Sequence, residues 1–264
     1  MLSSLGAALA DLVLPSACAG CGAERVSLRF GVCAGCAGGL AALIPVPAAP
    51  VPPPPGMPPC VAAGPYGGAL RGVLLAYKEK GRHRLARPLS ALLAGAVAEI
   101  ARDPSRPVLL VPVPSTAAAV RERHGDHMWR LAAHAVRRLR AAGWQADHIQ
   151  PLSASPRPDS ASLDASARAA FAESSLRIRP GRIRVLRREP TMRRTLVVVD
   201  DIVTTGATLA AVTSRLREAN VQVTGAAVLA ATQLRKAGPG SLAGLPPGGS
   251  GRGVRHQFGS PNEG

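Results

Sequence analysis

Apolar positions along the chain follow two periods, and their alternation sets the fold class. Leu196–Val199 is an apolar run without polar interruption, the pattern of a strand buried on both faces of a parallel sheet. It ends in Asp200 and Asp201. Thr204-Thr205-Gly206-Ala207-Thr208 follows, and then Leu209, Val212, Leu216 and Ala219 recur at helical spacing over Leu209–Asn220. Val221–Leu229 reads as a strand, so the segment forms a β-α-β unit. Upstream, Tyr66–Lys80 places Leu70, Val73, Leu74 and Tyr77 on one helical face, and Gly81 ends it. Leu85–Ile100 repeats the helical pattern, Pro107–Val113 predicts the first buried strand, and Met128–Ala142 predicts a helix rich in Arg and Ala. A weak strand is expected at 148–152, and another around Leu176–Ile178 or Ile183–Leu186, with a mobile loop between them. Strands alternating with helices predict an α/β fold, a parallel sheet flanked by helices.

The turn after the two aspartates carries the chemistry. A loop that opens a helix presents unpaired backbone N–H groups and partial positive charge, which attract phosphate. Gly206 lets the backbone come close to such a ligand, and the hydroxyls of Thr204, Thr205 and Thr208 add donors around Ala207. Asp200 and Asp201 supply acceptors for adjacent sugar hydroxyls, or carboxylates for a divalent cation. A phosphorylated ribose uses both features together. The alternative is an ordinary strand–turn–helix with a capping threonine. The segment is neither a P-loop, which needs Gly-Lys-[Ser/Thr], nor a dinucleotide fingerprint with three spaced glycines.

Further candidate groups lie on either side of Pro107–Val113. Lys78, Lys80, Arg82, His83 and Arg84 form a basic cluster that suits either solvent or an anionic ligand. Arg121 and Arg123 belong to the stretch after the strand, at the sheet edge where open α/β folds place ligands. Metal binding by His124 and His127 would need a set of cysteine or carboxylate partners that this stretch does not supply.

The N-terminal part has a different logic. Cys18-Ala19-Gly20-Cys21 and Cys33-Ala34-Gly35-Cys36 are two C-x-x-C pairs separated by eleven residues, which predicts that Cys18, Cys21, Cys33 and Cys36 close one tetrahedral Zn²⁺ site. Disulfides would need an oxidising compartment that nothing in the sequence indicates. So small a module, with few large apolar side chains, depends on its metal to fold. Pro45–Pro59 reads as a stiff spacer, with Cys60 a buried small residue beyond it. The expected organisation is a helix and zinc module over 1–44, a proline-rich linker over 45–60, the α/β domain over 61–235, and a disordered Gly/Pro/Ser-rich tail over 236–264.

Composition narrows the function classes. Thirty-two basic residues against 16 acidic ones give a formal charge of +16, which favours polyanionic company or leaves a basic surface with no dedicated partner. Only 3% of the chain is aromatic, which weighs against base-stacking platforms for nucleic acid. No segment is long and apolar enough to span a membrane. Met1–Leu14 carries Asp11 and lacks a basic start, so no secretory signal is expected and the protein is placed in the cytoplasm.

Leu196–Thr208 resembles the signature of type I phosphoribosyltransferases for phosphoribosyl pyrophosphate (PRPP), four apolar residues followed by D-D-x-x-T-T-G-x-T. Taken in order, Cys18–Cys36, Tyr66–Lys78, Val111–Pro114 with Arg121 and Arg123, and Asp200–Thr208 resemble the ComF family of competence-associated phosphoribosyltransferase-like proteins, over about residues 8–232. The resemblance implies a type I phosphoribosyltransferase fold with a zinc module and a cytoplasmic protein. It further implies PRPP binding with Mg²⁺, a link to imported single-stranded DNA or competence proteins, and room for a homodimer. Asp200 and Asp201 would fix the ribose hydroxyls, Thr204–Thr208 would grip the 5′-phosphate, and Lys78, Arg121 and Arg123 would face pyrophosphate. A non-catalytic nucleotide sensor or single-stranded-DNA-binding protein is the alternative on the same fold. The chain departs from the family where Arg123-His124-Gly125-Asp126-His127 replaces R-G-F-N, and where Ser160 and Phe171 replace Gln and Asn around Leu163 and Arg168.

Overall fold

Val108–Pro112 (β3) and Thr195–Val203 (β7) lie side by side in parallel at the middle of the sheet. The structure, a computed structural model, describes residues 17–155, 175–188 and 194–232. Val46–Pro47 (β1), Cys60–Pro65 (β2), Ala146–His148 (β4) and Gly225–Ala231 (β8) complete six strands in the order β1-β2-β8-β7-β3-β4. Within this sheet, among the described residues, only the β1–β2 pairing is antiparallel. Leu152–Ala154 (β5) and Leu176–Ile178 (β6) form a separate antiparallel ribbon, tied to the loop after β3 by a bridge between Thr116 and Ala154.

The pleat sorts the core into two layers, because successive side chains of a strand face opposite sides. Val197 and Val199 of β7 join Gly68–Glu79 (α2), Ala86–Ala101 (α3) and His127–Ala141 (α5) on one face. Leu196 and Val198 join Pro180–Arg188 (α6) and Ala207–Glu218 (α7) on the other. Leucine, valine and alanine fill both layers, as the low aromatic content requires. A fully buried leucine such as Leu89 or Leu216 contributes about 1.5–3 kcal/mol of transfer free energy. The result is the α/β architecture expected from the alternating pattern.

Three local differences have physical causes. The stretch after β3 contains a short helix, Ala117–Glu122 (α4), capped by the Thr116 side chain. Ile183 and Leu186 are buried on one side of α6, so Leu176–Ile178 is the strand of the two alternatives. The proline-rich stretch adds β1 to the sheet edge and buries Ala48 against the second core layer, so it packs on the domain instead of standing off as a spacer. The expected N-terminal helix, tail, and positions Ser160, Leu163, Arg168 and Phe171 lie outside the described residues.

The N-terminal cysteine segment seats on α2. A Cβ on Gly72 would come within 2.6 Å of the Ala19 and Gly20 carbonyl oxygens, so only glycine allows this approach. Arg82 donates to the same segment, through Nη1 to Ala17 O at 2.9 Å and Nη2 to Gly31 O at 3.1 Å. Ala34–Ala41 (α1) begins at Cys33, whose sulfur accepts from the Cys36 amide.

Candidate functional site

From β3 the chain runs outward to β4, and from β7 it runs the other way to β8. The loops after β3 and β7 therefore diverge and leave a crevice at the carboxyl ends of these two strands, the ligand position of open α/β sheets. Both loops carry polar groups. Ser115 and Thr116 follow β3, and Thr204–Gly206 follow β7.

The paired aspartates are part of β7, which runs on to Val203 instead of ending at Val199. Strand alternation then sends their side chains to opposite faces. Asp201 points to the α2 and α5 side, 7% exposed. Its Oδ2 meets Lys78 Nζ from α2 at 2.5 Å and His127 Nε2 from α5 at 3.2 Å. Burial alone would raise the Asp201 carboxyl, but the His127 hydrogen bond and the Lys78 ammonium outweigh it and bring its pKa to about 2. Asp200 lies on the other face, half-buried, with Oδ1 accepting from the Asp201 amide at 2.9 Å. Its negative charge, behind burial as the larger cause, helps push the Cys60 thiol up to about 12.

The groups around Asp201 hold one another. His127 Nδ1 lies 3.4 Å from Ser115 Oγ, and the His127 carbonyl accepts from Tyr77 Oη at 3.0 Å. Asp126 caps α5, its Oδ1 accepting from the Met128 and Trp129 amides at 3.0 and 3.1 Å. Ser115, His127, Asp201 and Lys78 thus link the loop after β3 to α5, β7 and α2. Arg121 is exposed on α4, and Arg123 caps that helix half-buried. Neither guanidinium joins the Asp201 cluster among the described residues. Next to them Arg130 Nη1 reaches His83 Nδ1 at 2.7 Å, which links the basic cluster after α2 to α5.

The loop after β7 leads directly into α7. Thr204 and Thr205 are exposed, Gly206 is buried, and Ala207 and Thr208 are half-buried at the start of α7. Gly206 is the N-cap residue with φ +74° and ψ −3°, a left-handed conformation that favours glycine. Thr205 Oγ1 accepts from the Ala207 amide at 3.4 Å. Helix α7 thus begins just beyond the carboxyl end of β7, beside the crevice, and the partial positive charge of a helix start attracts anions. A separate cleft of about 480 Å³, lined by Ile178, Pro180, Ile183, Arg184, Arg187 and Ala219, shares no residue with this loop.

Residues 166–239 match the family model of the phosphoribosyl transferase domain. No curated protein matches the chain. The phosphoribosyl transferase domain match takes in β6, α6, β7, the threonine loop, α7 and β8, and so includes one whole side of the crevice.

At the other end, Cys18, Cys21, Cys33 and Cys36 converge with all four sulfurs within 4.8 Å of one another. The Cys21 and Cys33 sulfurs stand 3.8 Å apart, close to the roughly 3.8 Å edge of a thiolate tetrahedron with metal–sulfur bonds of about 2.3 Å. All five cysteines are free thiols, so no disulfide competes. Burial pushes the Cys18 thiol up, but the Cys21, Cys33 and Gly20 backbone groups bring it down to about 6, whereas burial and the neighbouring sulfurs push Cys36 up to about 12, so the crowded set shares its charge unevenly until a metal binds. These four residues are positioned to hold one metal ion, and four sulfurs leave no open coordination position.

His127, weighed from the sequence only as a metal ligand, has a place beside Asp201 that the sequence did not indicate. It lies 74 residues from Asp201 along the chain, and only the fold brings the two together. Ser115 was equally silent, as a polar residue in a polar loop.

Proposed function

We propose that the protein binds PRPP, or a closely related phosphoribosyl ligand, with Mg²⁺ in the crevice between β3 and β7, and transfers the phosphoribosyl group to a nitrogenous base. The observation that carries this reading is the left-handed Gly206 that follows two exposed threonines and opens α7, at the switch point of the sheet and within the segment 166–239 that matches a phosphoribosyl transferase domain. The amides and hydroxyls of Thr204–Thr208 hold the 5′-phosphate. Asp200 accepts from a ribose hydroxyl or holds Mg²⁺, which neutralises pyrophosphate oxygens when bound. In the transfer the C1–O bond breaks with its electron pair on pyrophosphate, a C1–N bond forms, and the proton of the attacking nitrogen passes to water. Arg121, Arg123 and, once it leaves Asp201, Lys78 supply positive charge for the departing pyrophosphate.

The order of the motifs supports membership of the ComF family, and with it a structural zinc ion in the four-cysteine site and a role in handling incoming DNA. Calorimetry with PRPP and Mg²⁺ tests the central claim. The wild-type chain is expected to bind one equivalent, with Asp200→Asn and Thr205→Val each weakening it roughly tenfold or more. A folded wild-type chain that gives no binding heat overturns the reading.

One observation favours a second reading, contact with single-stranded nucleic acid. Arg130, Arg137 and Arg138 lie at helical spacing around His134 on α5, with Arg137 and Arg138 exposed, and their positive charge, with that of Arg87, adds to burial in pushing His134 down. This basic face suits a phosphate backbone, and its binding would fall steeply with salt. Oligonucleotide affinity that is salt-dependent and unchanged by Asp200→Asn distinguishes it from the crevice.

A further inference from the structure

The geometry points to Met57 and Pro54 as positioning residues for the phosphate loop, and this inference rests on the crevice reading above. Gly206 is buried although the two threonines before it are exposed, and what covers it is the tip of the proline-rich stretch. A Cβ placed on Gly206 would lie 2.5 Å from Met57 Sδ and 3.2 Å from Cδ and Cγ of Pro54. Glycine is thus required twice at this position, by its positive φ and by what presses on it.

The tip is built to be stiff. Met57 N donates to Pro54 O at 3.2 Å across Pro55 and Gly56, and Gly56 has φ +78°. Proline at the second position and a left-handed glycine at the third are the signature of a type II turn. Its root is fixed on the sheet by Ala48 N to Cys60 O at 2.9 Å and by Ala226 N to Pro59 O at 2.8 Å. Met57 also packs on the second core layer. A proline-dense loop has few conformations to lose on folding, so it holds Gly206 at little entropic expense.

The consequence concerns the amides after Gly206. They point at an anion only while Gly206 keeps its left-handed conformation, and a peptide rotation about it would scatter them. The Pro54–Met57 tip, packed where a Cβ of Gly206 would lie, blocks that rotation. Preorganisation of this kind raises affinity without touching the ligand.

The test uses the full chain with two readouts. Hydrogen exchange at the amides of Thr204–Thr208, with no ligand present, is expected to quicken in Met57→Ala, and Met57→Leu is expected to restore the wild-type rate. In calorimetry with PRPP and Mg²⁺, Met57→Ala is expected to weaken binding roughly fivefold to tenfold while Met57→Leu binds as wild type. Gly56→Ala strains the turn at its positive φ without approaching Gly206, and is expected to move both readouts in the same direction. Unchanged exchange in folded Met57→Ala and Gly56→Ala overturns the inference, as does a loss that Met57→Leu fails to restore. If wild type does not bind PRPP, the crevice reading fails while the exchange experiment still decides the role of the tip.

Discussion

The Asp201 cluster makes a quantitative prediction. Asp201→Asn keeps the shape of the side chain and removes its charge, which leaves Lys78 and His127 without their shared carboxylate. The folded-state pKa of about 2 stands against an ordinary 3.8, and a shift of that size corresponds to roughly 2 kcal/mol. Losing one partner of a buried pair costs more when the other charge is trapped. The Lys78 side chain is 29% exposed and can turn to water, so the expected loss at pH 7 is about 2–3 kcal/mol. The sign follows from the depressed pKa. The stabilisation is fully present above the unfolded value of 3.8 and is lost as pH falls through the folded value of about 2. Urea unfolding of wild type and Asp201→Asn should therefore show a constant gap between pH 7 and about pH 5, narrowing steadily below about pH 4. A gap under roughly 0.5 kcal/mol at neutral pH, or one that does not narrow on acidification, refutes the ion-pair account.

Two further predictions concern the cysteine module. Metal analysis of the purified chain should find one zinc per molecule, and Cys33→Ser should abolish it and lower the melting temperature, since a site that closes a small module contributes its binding energy to folding; full occupancy in Cys33→Ser would exclude that residue from the set. Gly72→Ala should destabilise by about 1–3 kcal/mol, because its Cβ would strike two backbone carbonyls that cannot swing aside. Chemical denaturation measures it, and a neutral Gly72→Ala would show that the module sits elsewhere.

What was legible in the sequence was whatever depends on neighbours along the chain. The uninterrupted apolar run Leu196–Val199, the glycine and threonines after it, and the helical spacing of Leu209, Val212 and Leu216 are local signals, and each element formed nearly where the pattern put it. The four cysteines were legible for the same reason, since two tight turns need only two short spacings. The length of β7 was not legible, because aspartates normally end a strand. Here Asp201 continues the strand, its carboxylate held by Lys78 and His127 from two distant helices. The proline-rich stretch misled in the opposite sense. Its composition specifies stiffness, and only the fold decides whether a stiff segment stands away from the domain or lies along it; Pro54 and Met57 lie against Gly206.

Helix α2 joins two things that the sequence keeps far apart. Its flank at Gly72 bears on the knuckle backbone, and Lys78 in its last turn reaches Asp201. Six residue steps along the helix separate the two contacts, a rigid span of about 9 Å. A metal ion that sets the knuckle therefore also sets where that ammonium group rests, and stripping the ion should be felt as a displaced lysine at the mouth of the sheet.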